Sequence, residues 1–200
     1  MGYVKKQCSD KTCKMLASAL KDQMHKTSFD KISVTDITNQ CGFHRQTFYY
    51  HFEDKYQLLD WIVYKELIEP LTDGITFDNM YDKIYNLFNS MIEDKKFYQS
   101  TLKISFNEIS KYISKVAMQV FTTVLEEIER DLGIESVDEE NVISAEFFGY
   151  GISGVVLGWA QKGMKESPKT MVKRVENIIT ACKKIAVERY LSNMKNNDQQ

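Results

Sequence analysis

The stretch Ser33–Lys55, SVTDITNQCGFHRQTFYYHFEDK, restricts the fold more than any other part of the chain. Val34, Ile37 and Cys41 recur at i, i+3 and i+7, the apolar stripe of a short amphipathic helix. Ser33 or Thr35 can cap its start through a side-chain oxygen. Gly42 then permits a left-handed backbone angle that other residues resist, so the chain can turn sharply after one short helix. The spacing predicts a second helix from about His44, with Phe48 and Phe52, four apart, facing inward. His44, Arg45, Gln46, Thr47, Tyr49, Tyr50 and His51 fill its outward and edge positions. A short helix, a glycine turn and a second helix with polar tips form the helix-turn-helix pattern.

The rest of the chain has few helix breakers. Two prolines and nine glycines leave long runs between them, and period-2 alternation is nowhere sustained, so the fold class is all-α. Residues 1–55 carry nine Lys+Arg against six Asp+Glu, a net of +3, and the other 145 carry 17 against 22, a net of −5. A mildly basic N-terminal module on an acidic body suits contact with nucleic acid through one end. The four cysteines form no CxxC pair; Cys41 and Cys182 read as small buried hydrophobes, and reduced thiols are expected. No apolar leader segment opens the chain, and Ala145–Ala160 reads as too short and too interrupted to span a bilayer. A cytoplasmic protein without membrane contact is expected.

In chain order, Ser9 caps a first helix to about Lys26, with Cys13, Leu16, Ala17, Leu20 and Met24 inward. Phe29 and Ile32 close over the small core. After the two short helices, a fourth runs from Asp54 to Pro70, with Tyr56, Leu59, Ile62, Val63 and Leu67 in phase. The first domain is therefore residues 9–55, linked by the helix 54–70 to a second at 75–192. The second domain is read as helices over 79–94, 97–106, 108–132, 141–162 and 168–192, the last started by Ser167 and Pro168. The polar residues after Ser192 are expected to be disordered.

Residues 9–70 resemble the DNA-binding domain of the TetR family of bacterial regulators. The family's aromatic pattern T-[LF]-Y-x-[YH]-F-x-x-K-x-x-L stands here as Thr47-Phe48-Tyr49-Tyr50-His51-Phe52-Glu53-Asp54-Lys55-Tyr56-Gln57-Leu58. Cys41 departs from the family's usual alanine, and His44-Arg45-Gln46 from its usual small or basic residues. DKKFYQSTLK and YGISGVVLGWAQKGMKESPKTM are also similar to the C-terminal domain of a TetR subgroup that includes activators of dihydroxyacetone-kinase operons. The resemblance implies a dimeric, sequence-specific transcriptional regulator, a repressor by the family's default.

A recognition helix places its N-terminal residues, here His44, Arg45, Gln46 and Thr47, against base edges of the major groove. Arg45 can grip guanine O6 and N7 with two donors, and Gln46 can pair with adenine. The resemblance implies that Tyr49 and Lys55 contact phosphates. Thr35 offers a hydroxyl and helix-start N–H groups to another phosphate, and Tyr50 and His51 lie between phosphate contact and solvated face. Cys41, His44 and His51 supply no fourth ligand, so no metal site or cofactor is expected. No phosphate loop or nucleophile with a base is present in the sequence, so it does not read as an enzyme.

A palindromic DNA operator would be read by a homodimer. Gly151, Gly154 and Gly158, at i, i+3 and i+7, form a strip that admits another helix, bordered by Val155. Val175, Ile179, Cys182 and Ile185 present a matching stripe on the last helix. The resemblance implies a four-helix bundle from these elements, two from each copy. It also implies an effector lodged among the middle helices, with Phe88, Met91, Tyr98, Phe121 and Phe147 as candidate ligand contacts. The subgroup likeness leaves open a partner protein, in place of a small molecule, as the effector, and with it an activator.

Overall fold

The computed structural model describes residues 10–76, 78–133 and 138–197, with helices, turns and loops but no strand among them. α1 (Asp10–Met24) buries Cys13, Leu16, Ala17, Leu20 and Met24 along one stripe, as its spacing predicts. A 3-10 turn at Phe29–Lys31 brings Phe29 and Ile32 into the same cluster. α2 (Val34–Cys41) and α3 (Arg45–His51) follow, and Phe48 and Phe52 join that cluster with Leu58 and Leu59 of α4 (Lys55–Val63). Tyr56 is the exception on α4: it is exposed, edge-on to Phe29 at 5.0 Å, while Leu58 is buried. The two positions lie roughly 200° apart round a helix, so only one can face the core.

The bridging helix does not stop at Pro70. It passes through a wide π-type turn, Tyr64–Ile68, into α5 (Glu69–Thr72). A proline ring crowds the carbonyl four residues back and has no N–H to give it. The wide turn, with the Glu69 N–H bonded to the Tyr64 carbonyl, carries the helix past that obstacle. Then come α6 (Met80–Glu93), α7 (Lys95–Ile104), α8 (Phe106–Leu132), α9 (Asp138–Gln161) and α10 (Pro168–Asn197). The Thr170 N–H donates to Ser167 Oγ at 3.2 Å, so α10 starts as expected. Its end differs, because the polar residues after Ser192 extend the helix to Asn197.

Both halves share one apolar core, continuous from Leu16 in α1 to Met171 in α10. α8 and α9 pack along each other at close range. The close approach depends on Gly149, where a Cβ would overlap Met118 Cγ and stand 3.0 Å from the Ser114 carbonyl oxygen. Ser153 Oγ donates across the same contact to the Ser110 carbonyl at 3.3 Å. By length and composition, Val142–Gln161 within α9 is long and apolar enough to cross a membrane, a longer span than the Ala145–Ala160 stretch read from the sequence. Two cysteine expectations also change. Cys13 is paired in a disulfide whose partner lies outside the described residues. Cys41 is only half-buried, with Sγ donating to the Met15 carbonyl at 3.2 Å, and burial pushes its thiol pKa up.

Asp60 marks the junction between the two halves. Burial, then the negative charges of Glu108 at the start of α8 and of Asp54, push its carboxyl up to about 6. An unfolded aspartate titrates near ~4, so between those values the folded chain holds more protons and stability falls as pH rises through the window. Above it the cost is constant. Asp60→Asn is therefore expected to raise stability at neutral pH by about 1–2 kcal/mol, after discounting for partial exposure. Urea midpoints measured on both sides of the window test this. An unchanged midpoint at neutral pH would refute it.

Candidate nucleic-acid interface

Ser33 caps α2. Its Oγ accepts from the Asp36 N–H at 3.1 Å, and Asp36 Oδ2 accepts from the Ser33 N–H at 2.8 Å, a reciprocal capping box. The Ser33 hydroxyl, donating to Asp36 Oδ2 at 2.6 Å, and then the Ser33 N–H hold the Asp36 carboxyl below its usual range. Gly42 ends the helix at φ 69°, its N–H bonded to the Asn39 and Thr38 carbonyls, and the Phe43 N–H reaches the Thr38 carbonyl at 2.9 Å. A Cβ at Gly42 would meet no atom within 4 Å, so the backbone angle alone, not space, requires glycine.

α3 is thus set on the core by Phe48, which is fully buried, and presents the opposite side to solvent. His44, Arg45, Gln46, Tyr49 and Tyr50 are exposed and Thr47 is half-buried. His44 is the N-cap residue, and its side chain does not cap the helix. Arg45 folds along the helix toward Tyr49: Nη2 donates to the phenol oxygen at 3.2 Å, with Cζ 5.7 Å from the ring centroid. The Tyr49 ring stands edge-on to Phe48 at 5.6 Å.

Three predicted contacts look different in the fold. Lys55 is turned inward, and its ammonium donates to the carbonyls of Phe29 and Ile32, both at 2.8 Å, and of Asp30 at 3.3 Å. It also lies 4.5 Å from the Phe29 ring centroid. In this geometry Lys55 staples the α1–α2 connection. His51 is half-buried, its ring 5.0 Å from Tyr50, with Nδ1 buried and unpartnered among the described residues. Burial lowers its pKa, which favours the neutral ring. Thr35 is exposed at the start of α2, but the Asp36 carboxylate already occupies the positive end of that helix.

A cluster not anticipated from the sequence joins the reading head to the body. Lys21 of α1 donates to Glu66 at 2.6 Å and lies 3.2 Å from Asp94, where α6 ends. His25, one turn on, meets Asp94 at 2.6 Å, and the Tyr98 hydroxyl of α7 donates to Glu66 at 2.6 Å. Burial raises the Asp94 carboxyl, but hydrogen bonds from His25 and Lys21 outweigh it and hold the pKa low. Burial, then the charge of Glu66, push the Tyr98 phenol well above its usual value. Glu66 sits in the π-type turn, so the irregular helix and the charged link coincide. The i, i+4 spacing of Lys21 and His25 was the one trace of this cluster in the sequence.

α9 shows an apolar outer face. Gly151 and Gly154 are exposed and Gly158 is half-buried, and a Cβ on any of them would meet no atom within 4 Å. Ile143, Phe147 and Tyr150 stand exposed beside them, Phe147 at 72%, and Val155 is at 36%. The expected stripe on α10 divides differently. Val175 is 1% exposed, and Ile179, half-buried, packs against Met80. The side chains of Cys182 and Ile185 lie outside the described residues.

Val175 and Ile179 line an apolar cavity of about 70 Å³ with Phe121, Phe148, Ile152 and Val156, well below the ~300–1,000 Å³ of drug-sized pockets. Of the candidate ligand contacts only Phe121 lines it, stacked on Phe148 at 4.2 Å. Phe147 is one residue, about 100°, away and points outward. Phe88 and Met91 are core, Phe88 edge-on to Trp159 at 4.9 Å, and Tyr98 belongs to the charged link.

Residues 16–62 match the sequence profile described as bacterial regulatory proteins, tetR family, and residues 78–181 one described as transcriptional regulator C-terminal region. The HTH-type dhaKLM operon transcriptional activator DhaS of Lactococcus lactis subsp. lactis (strain IL1403) is 32% identical over 96 residues, 48% of this chain and 51% of that relative. The match thus spans about half the length of the curated relative. Among solved structures, the dihydroxyacetone kinase operon activator DhaS superposes with a TM-score of 0.73 at 24% identity, over 87% of this chain and 97% of that one. NalD, the secondary repressor of the MexAB-OprM multidrug efflux pump in Pseudomonas aeruginosa, does so at 0.54 and 14%, with the same coverage. These two likenesses show the fold. With both halves matched and a glycine-turned helix pair at residues 34–51, the chain belongs to the TetR family of bacterial regulatory proteins.

Proposed function

We propose that the protein acts in the cytoplasm as a homodimer reading a palindromic operator, with α3 of each copy in a major groove. The observation that carries this is the exposed side of α3, where His44, Arg45, Gln46 and Tyr49 stand over a fully buried Phe48. Arg45 reads guanine and Gln46 adenine, while Tyr49 holds a phosphate through its hydroxyl and Tyr50 and Thr35 lie beside the backbone path. A second copy covers the outer face of α9 through Gly151, Gly154, Val155 and Gly158. Exposed Glu146 on that helix favours a protein partner over lipid, since a carboxylate at bilayer depth is costly.

A gel shift on DNA from upstream of the protein's own gene, run across a salt series with random competitor, tests this reading. Specific binding that weakens steeply with salt supports it. Binding indifferent to salt and sequence would oppose it. Arg45→Ala is expected to relax preference at one base pair, a loss of about 1–3 kcal/mol of discrimination, with a smaller effect on random DNA. Equal loss on both would remove Arg45 as a base reader.

A second reading concerns the sign and source of control. The relative named a transcriptional activator supports activation over the family's default of repression. The small apolar cavity supports control by a partner protein more than by a polar metabolite, whose hydrogen-bonding groups would go unpaired there. Reporter expression from the mapped site, with and without the gene, decides the sign.

A further inference from the structure

We infer that Tyr49 is a positioning residue for Arg45 as well as a phosphate contact, so that sequence reading and backbone grip are coupled through one side chain. This rests on the DNA-reading assignment of α3. The two residues are four apart and therefore on one face of the helix. The Tyr49 oxygen accepts from Arg45 Nη2 at 3.2 Å, and the guanidinium carbon lies 5.7 Å from the ring centroid, within range of a cation–π contact. The ring is steadied in turn by the edge-on contact with Phe48, which is fully buried. A chain of contacts thus runs from the core to the guanidinium. Among the described residues, no other hydrogen bond, ion pair or ring contact holds Arg45.

The donor and acceptor count makes the double role possible. A phenol offers one O–H donor and lone pairs. Accepting from Arg45 leaves its proton to donate to a phosphate. A guanidinium has five N–H donors, and giving one to Tyr49 leaves enough for two parallel bonds to guanine O6 and N7. Arginine side chains lose considerable rotamer freedom when fixed at an interface, and a partner already in place lowers that cost. Binding of a phosphate by Tyr49 then fixes the ring, which fixes the guanidinium over its base pair. Lysine could not replace Arg45, because a single ammonium lacks the planar fork.

The test is a double-mutant cycle. The operator is first found by in-vitro selection with the full-length wild-type protein. Dissociation constants are then measured by fluorescence anisotropy for wild type, Arg45→Ala, Tyr49→Phe and the double variant. Three duplexes are used: the operator, the operator altered at the Arg45-dependent base pair, and random DNA. Tyr49→Phe keeps the ring and its contact with Phe48, and melting curves check that each variant is folded. Tyr49→Phe is expected to weaken all three duplexes, with an extra loss of about two- to tenfold on the operator alone. That extra loss should vanish in the Arg45→Ala background. Equal loss on all three duplexes, with independent effects in the cycle, would leave Tyr49 a phosphate contact only and overturn the proposal. Wild type failing to discriminate operator from random DNA would overturn the DNA-reading assignment itself. Discrimination that survives Arg45→Ala would remove Arg45 as the base reader, and the coupling with it.

Discussion

Gly154→Arg should halve the molecular mass of the protein in solution and weaken operator binding by about 10²- to 10⁴-fold, the range expected when two linked reading heads become one. The physical basis is an asymmetry between fold and assembly. At Gly154 a Cβ would meet nothing within 4 Å in the protomer, so a long side chain there costs the monomer little. Arginine is also a far better helix former than glycine, by up to about 1 kcal/mol. In the proposed dimer the same position lies where two α9 helices approach, and two guanidinium groups would be brought together without partners. Melting curves close to wild type, combined with a monomer by analytical ultracentrifugation, are the expected pair of results. A dimer that persists with full affinity would place the interface elsewhere.

Gly149→Leu should do the reverse and strike the fold. Five residues earlier on the same helix, a Cβ would overlap Met118 Cγ and press on the Ser114 carbonyl and the Met118 N–H, 3.0 and 3.2 Å away. Met118 can swing, but the backbone of α8 cannot move without parting the two helices. The gain in helix propensity, about 1 kcal/mol, is smaller than the overpacking cost of about 3 kcal/mol or more. A fall in melting temperature of roughly 5–10 °C is expected for a chain of this size. Calorimetry of Gly149→Leu beside Gly154→Leu would show whether the two glycines differ as described. Equal stability for both variants would refute the close α8–α9 contact.

The link of Lys21, His25, Glu66, Asp94 and Tyr98 shows where sequence reading ran out. Its members come from α1, the π-type turn, the α6–α7 corner and α7, and only the tertiary fold brings them within hydrogen-bond distance. Lys55 illustrates the same limit. The aromatic pattern around it was legible, but three backbone carbonyls that turn its ammonium inward lie more than twenty residues earlier. Phe147 and Phe148 show a third form. A helix apolar on every side carries no phase, so the sequence could not say which phenylalanine faces the cavity and which faces out.

What the sequence by itself determined is the helix-turn-helix. Its instructions are local: Ser33 reaching Asp36, a left-handed Gly42, and Phe48 and Phe52 one turn apart, all settled within a few residues of backbone. Only the tertiary structure decided the outer face of α9, the close contact at Gly149 and the charged link between head and body. Those depend on how long helices rotate against one another, and rotation is fixed by the sum of packing contacts along each helix, not by any short stretch of residues.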